Sequence, residues 1–170
     1  MYALVDCDSC YASCEQVFRP DLRDKPVIVL SNNDGCIIAR SKAAKAIAVP
    51  NLQPYFKIEN QLRQCQVHVF SANFRLYGDI TNQVMEELKN FSPRIEVYSI
   101  DESFLDFDGF NLDLNDYAYS IKRHIWKSTL MPVGVGVAPT KTLSKLANHA
   151  AKKLKDNSIA VLDTPEKWHW

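Results

Sequence analysis

The sequence predicts an α+β fold, in which a ferredoxin-like split β-α-β sheet carries a small inserted α/β unit. Three observations predict it. With the segment from about Arg19 to His68 set aside, the apolar runs read strand, helix, strand, strand, helix, strand. The segment set aside holds strands, turn residues and a helix of its own. Acidic residues also stand at the strand ends that this order brings side by side.

A chain of 170 residues suffices for one domain with a modest insertion, and 46% hydrophobic residues can build a core. Lys plus Arg and Asp plus Glu both number 20, so global charge gives no sign of a nucleic-acid partner, and local clustering must make that case. Five cysteines, with a single C-x-x-C pair at Cys7 and Cys10 and no His pattern beside it, read as reduced thiols of a cytoplasmic protein, with a structural zinc site as the alternative. No apolar stretch is long enough for a membrane span, no leader-like segment precedes the first strand, and the expected partners include no membrane.

Tyr2 to Asp8 is apolar on both faces and reads as a central strand. Asp8 or Ser9 can cap a helix from Cys10 to Val17, which Arg19-Pro20 ends. Val27 to Leu30 and Cys36 to Ala39 are strands around Ser31–Gly35, where Asp34-Gly35 is the expected hairpin pair. A helix from Ser41 to Ile47 follows. Arg40, Lys42 and Lys45 punctuate this small-residue stretch and could approach a phosphate, or simply form a solvated face. Ile58 to Cys65 reads as a short helix and Val67 to Ser71 as a strand. Ile80 to Phe91 is an amphipathic helix stopped by Ser92-Pro93.

Two β-branched and aromatic runs then flank Asp101 and Glu102. Asp116 to Leu130 is a further helix. Val133 to Val137 alternates valine with Gly134 and Gly136, a strand against which something packs closely. Thr140 can cap the next helix, whose expected buried stripe is Leu143, Leu146, Ala147, Ala150 and Leu154, decorated by Lys141, Lys145, Lys152, Lys153 and Lys155. Ile159 to Leu162 is a last strand.

In the split β-α-β order the first strand lies beside the third, so Asp6 arrives at the turn carrying Asp101 and Glu102. Adjacent carboxylates repel, and the acidic pair is either a solvated turn or a cation site. Three converging carboxylates favour the second. Hard oxygen donors without His or Cys partners select Mg2+, or Mn2+, and such ions take phosphate oxygens into their shell. The chemistry this implies is two-metal nucleotidyl transfer, with ions roughly 4 Å apart, Asp6 and Asp101 bridging them and Glu102 on the ion of the nucleophile.

These residues resemble the Y-family, translesion DNA polymerases, in particular their UmuC-type branch. The resemblance is carried by Asp6 with Tyr11–Glu15, by Phe18–Leu22, by Lys25–Cys36, by Tyr98–Glu102, and by Val133–Ala138 continuing through Thr140–Leu143 and Lys145–Lys153. It implies a palm at residues 1–18 and 69–165 and fingers at 19–68, with thumb and little-finger domains absent. It also implies that Asp6, Asp101 and Glu102 hold two Mg2+ ions with the Cys7 carbonyl, that Tyr11 is the steric gate against ribonucleotides, and that Lys45 and Lys152 touch the incoming triphosphate. Template–primer DNA and dNTP are the implied partners, extending to a UmuD-like accessory subunit and a RecA filament in the SOS response. One departure stands beside the gate: Cys10 occupies a position that is usually aromatic. The expected activity is error-prone synthesis, weak in so short a chain. A pseudo-polymerase module and a palm-type nucleotide cyclase are the alternatives.

Overall fold

The computed structural model describes residues 1–154 and 158–168. In chain order the elements are β1 (Tyr2–Cys7), α1 (Cys10–Phe18), β2 (Val27–Leu30), β3 (Ile37–Arg40), α2 (Lys42–Ala46), α3 (Glu59–Gln64), β4 (His68–Ser71), α4 (Phe74–Leu88), β5 (Ile95–Val97), β6 (Glu102–Asp106), α5 (Leu114–Thr129), β7 (Val133–Ala138), α6 (Lys141–Leu154) and β8 (Ile159–Val161). They fall into two compact units, one of Met1–Asp8 with Thr81–Trp170 and one of Ser9–Ile80, and the cut between them passes through α4. Lys155 and the side chain of Leu154 lie outside the described part.

The first unit is built on a sheet of order β5-β6-β1-β7-β8. β1 runs antiparallel to both β6 and β7, and its Ala3, Leu4 and Val5 are buried, as a central strand requires. This is the split β-α-β sheet with one addition. β8 lies beside β7 in parallel, so the sheet has five strands and is not wholly antiparallel. Parallel neighbours need a crossover, and α6 supplies it.

β7 is buried along its whole length. A Cβ placed on Gly136 would stand 2.3 Å from the Ser144 carbonyl oxygen and from the Asn148 nitrogen, so the backbone of α6 rests directly on the strand. Only small side chains fit at such an approach. The buried face of α6 is accordingly Ser144, Ala147, Asn148 and Ala151, while Leu146 is 54% exposed and Leu143 only half-buried. The expected leucine stripe is thus corrected, because the glycine strand excludes large residues from the face of closest approach. The Thr140 hydroxyl accepts from Leu143 N at 3.2 Å, the cap expected there. α5 starts two residues before the expected Asp116, because the Asp113 carboxylate accepts from both Asn115 N and Asp116 N at 2.9 Å.

The second unit holds a sheet of order β3-β2-β4, antiparallel between β2 and β3 and parallel between β2 and β4. Ile28, Leu30, Ile37, Ala44, Val49 and Leu62 form its core. Buried Ser41 ties that core together. Its hydroxyl caps α2 through Ala44 N at 3.2 Å, accepts from Val27 N at 2.9 Å and donates to the Lys25 carbonyl at 3.1 Å. In the β2–β3 loop the left-handed residue is Asp34, with φ 55°, and not Gly35. Asp34 N donates to the Ser31 carbonyl, closing a turn within the Ser31–Gly35 connection expected from sequence. α4 begins six residues before the expected Ile80, because the Asn73 side chain accepts from Leu76 N at 3.1 Å. Ser9 occupies the N-cap position of α1 with φ 51° and makes no side-chain cap bond.

Candidate active site

The site of the first unit follows from strand register. Asp6 is paired with Glu102 across β1–β6 and with Gly134 across β1–β7. Paired residues point to the same side of a sheet, so Asp6, Glu102 and Gly134 share one face. It is the face that α6 covers, since a Cβ on Gly134 would meet Asn148 Oδ1 at 2.5 Å and Lys152 Cε at 2.8 Å. Asp101 immediately precedes β6. Its carbonyl accepts from Cys7 N at 2.9 Å, which fastens the acidic loop to the end of β1.

α6 answers the acidic face with cations and an amide. Lys152 Nζ lies 2.7 Å from Asp6 Oδ1 and 2.8 Å from Asp8 Oδ1. Asn148 Nδ2 donates to Asp6 Oδ2 at 3.2 Å, and Lys145 Nζ donates to Glu102 Oε2 at 3.1 Å. The Asp101 carboxylate accepts from the Ser99 hydroxyl at 2.7 Å. Lys145, Asn148 and Lys152 stand at helical spacing on one face. Sequence reading treats Lys145 as surface decoration and gives Asn148 no role, yet that spacing, read against the acidic strand ends, is the signal that would have found both.

Burial pushes the Asp6 carboxyl up to about 6; Lys152 opposes the shift, and the charges of Asp101 and Glu102 add to it. Asp6 therefore lies within electrostatic reach of Asp101 and Glu102. Burial works against charge on Lys152, but Asp8 and Asp6 outweigh it and its pKa is raised. Among the described residues no three acidic, His or Cys groups are gathered closely enough to cage an ion. Asp6, Glu102 and Asp101 are turned respectively to Lys152, Lys145 and Ser99. The donors still fit a hard cation: they are carboxylate oxygens, they come from adjoining strand ends, and their mutual repulsion is what a divalent ion relieves. The buried Asn148 Oδ1 has no hydrogen-bond partner, so the amide is held by its donor end toward Asp6.

The remaining residues singled out by sequence belong to the second unit. Tyr11 is stacked on Tyr77, with ring centroids 4.8 Å apart, and meets the edge of Phe74 at 5.7 Å. The Tyr77 hydroxyl donates to Glu15 Oε1 at 2.7 Å, which fixes that ring beneath Tyr11. Sequence reading missed both aromatic partners, since Phe74 and Tyr77 lie in the turns of α4 before the expected start. Lys45 Nζ donates to the Ser9 hydroxyl at 2.8 Å. Arg40 is less available, since its guanidinium donates to the Val49 carbonyl at 2.6 Å. Lys42 is exposed at the start of α2.

Residues 5–149 match the impB/mucB/samB family. The chain is similar to the UmuC protein of Salmonella typhimurium, 51% identical over 96% of this chain and 39% of that protein. It is also similar to DNA polymerase IV of Dehalococcoides mccartyi, 31% identical over 87% of this chain and 39% of that protein. Among solved structures it superposes on DinB from Sulfolobus solfataricus with a TM-score of 0.83 at 27% identity, covering 97% of this chain and 49% of that one. An insertion ternary complex of Dbh DNA polymerase gives 0.83 at 28% identity, over 98% of this chain and 49% of the other. The chain thus spans about two fifths of the length of the curated relatives it matches.

Proposed function

The chain belongs to the impB/mucB/samB family and has the fold of the Y-family polymerases, and from that premise we propose that it carries the catalytic carboxylates of an error-prone, translesion DNA polymerase. The observation that supports this most directly is the register of β1 and β6, which sets Asp6 opposite Glu102 with Asp101 next in the chain.

In this reading Asp6, Asp101, Glu102 and the Cys7 carbonyl hold two Mg2+ ions, with Mn2+ as substitute. Ions bound there would supply Lewis acidity, lowering the pKa of a primer 3′-hydroxyl and offsetting negative charge on the pyrophosphate leaving group. The chain's own groups do the rest. The hydrogen bond from Cys7 N to the Asp101 carbonyl holds the acidic loop against β1 and limits how far the carboxylates drift apart. Asn148 fixes the orientation of Asp6. Lys152, Lys45, Arg40 and Lys42 are assigned to nucleotide binding, as side chains that supply positive charge for a triphosphate. Tyr11 is the gate that rejects a ribose 2′-hydroxyl, and its stacking on Tyr77 keeps its ring from swinging aside. Residues 1–18 and 69–165 are assigned to the palm and 19–68 to the fingers. Template–primer DNA and dNTP are the substrates. A UmuD-like subunit, a RecA filament, an SOS setting and a cytoplasmic location complete the proposal. Among the described residues no helix is long and apolar enough to cross a membrane.

The test is single-nucleotide extension of a labelled primer–template by this chain with Mg2+ and one dNTP, beside Asp101→Asn and Glu102→Gln. Slow addition of one nucleotide, abolished in both variants, is the expected result. Addition that persists in both would remove the carboxylates from the reaction. Formation of a cyclic nucleotide in place of extension would assign the site to a cyclase.

A further inference from the structure

We propose that Lys152 is the built-in counter-cation of this site: with no metal bound, its ammonium bridges Asp6 and Asp8, and a divalent ion reaches Asp6 only by displacing it onto Asp8. This rests on the reading of Asp6 as a metal ligand. The bridge itself is geometric. One ammonium stands 2.7 Å from Asp6 Oδ1 and 2.8 Å from Asp8 Oδ1, and the three side chains are only 22–26% exposed. Two carboxylates so placed would repel strongly without a cation between them.

The route of the lysine is built into the strand. Its Cε would lie 2.8 Å from a Cβ at Gly134, the residue paired with Asp6, so the stem reaches the carboxylate over a position that has no side chain. The two oxygens of Asp6 are divided between partners. Lys152 takes Oδ1, and Asn148 donates to Oδ2. When the lysine leaves, Asn148 still holds the carboxylate in place. Asp8 completes the arrangement by giving the displaced ammonium a partner, so that no buried charge is stranded. Asp8 thereby acquires a role distinct from helix capping: it is the resting place of the lysine.

The experiment uses metal-stripped protein and Mn2+, with free ion read by electron paramagnetic resonance and folding read by thermal melting. Lys152→Met keeps the stem over Gly134 and removes the charge. It lowers the melting temperature of the metal-free protein and tightens Mn2+ binding by about tenfold, the order expected when one competing ion pair is lost. Lys152→Gln is the second variant, should the methionine fold poorly. In an Asp8→Asn background the melting penalty of Lys152→Met shrinks, because there are no longer two carboxylates to bridge. In the unaltered protein, the carbon NMR signal of Lys152 Cε shifts when Mg2+ is added.

Mn2+ binding that is unchanged or weaker in both Lys152 variants, with the wild type binding normally, overturns the displacement and leaves the metal reading intact. A stationary Cε signal with Mg2+ bound does the same. Failure of the wild type to bind Mn2+ removes the metal reading and the displacement with it. An equal melting penalty with and without Asp8 overturns the bridge.

Discussion

Asp6→Asn, in protein stripped of divalent ions, is expected to stabilise the fold at alkaline pH and to leave it unchanged in acid. Burial raises the Asp6 carboxyl from 3.8 to about 6 in the folded chain, so folding favours its protonated form. The associated stability is fully present below pH 3.8 and is lost as the pH rises through about 6. Two pH units of difference amount to roughly 3 kcal/mol at most, and partial exposure of the side chain reduces this to about 1–2 kcal/mol. Asparagine is nearly isosteric and carries no charge at any pH, while Lys152 retains Asp8. At pH 8 the variant should therefore melt about 2–8 °C above the wild type, from the usual 2–4 °C per kcal/mol for a chain of this size. By pH 4 the gap should close. Measuring the difference between the two proteins at each pH cancels the titration of all other carboxylates. A gap of constant size from pH 4 to 8 would show that charge on Asp6 is not the cause. A wild type more stable than the variant at pH 8 would show that the Lys152 pair outweighs the burial of Asp6.

Gly136→Ala should destabilise by more than about 3 kcal/mol in a denaturant titration, because the added methyl would meet backbone atoms of α6 at 2.3 Å and no side-chain rotation relieves it. Ser41→Ala should cost about 2 kcal/mol by the same measurement, since it removes the α2 cap and leaves buried Val27 N without its hydroxyl acceptor. Tyr77→Phe should cost about 1 kcal/mol in thermal melting, through loss of the bond to Glu15, while leaving the stack with Tyr11 in place. Tyr11→Ala should raise ribonucleotide insertion relative to deoxynucleotide insertion in single-nucleotide extension, and unchanged sugar selectivity would take Tyr11 out of the gate role.

Sequence pattern carried the sheet because that information is local. The apolar runs of β1 and β7 and the β-branched runs around Asp101 need no tertiary knowledge to read as strands. Chain order then places β1 beside β6, so the approach of Asp6 to Glu102 was also legible. Three features were not. The start of α4 depends on Asn73 as a cap ahead of a helix that contains Gly78, a residue that weakens helical pattern. The buried face of α6 is decided by Gly134 and Gly136 on another element, and periodicity alone chose the leucines. β8 reads as a strand, but its parallel place beside β7 depends on the path of α6 and on no residue of its own.

The misread face of α6 and the electrostatics of the acidic face have a common origin. Gly136 lets the helix backbone settle on β7, which fixes the height of every side chain on that face. Gly134, two residues back and paired with Asp6, opens the space that Asn148 and the stem of Lys152 occupy. Close packing is thus what carries a lysine amine to within 2.7 Å of a half-buried carboxylate. An alanine at Gly134 would overlap atoms at the far end of flexible side chains, which can move at modest cost in stability. At Gly136 it would overlap backbone, which cannot. Gly134→Ala should therefore fold, yet it pushes Lys152 and Asn148 away from Asp6. With the acidic face holding divalent ions as proposed, its affinity for them should change far more than the stability of the sheet, whereas Gly136→Ala makes stability the dominant loss.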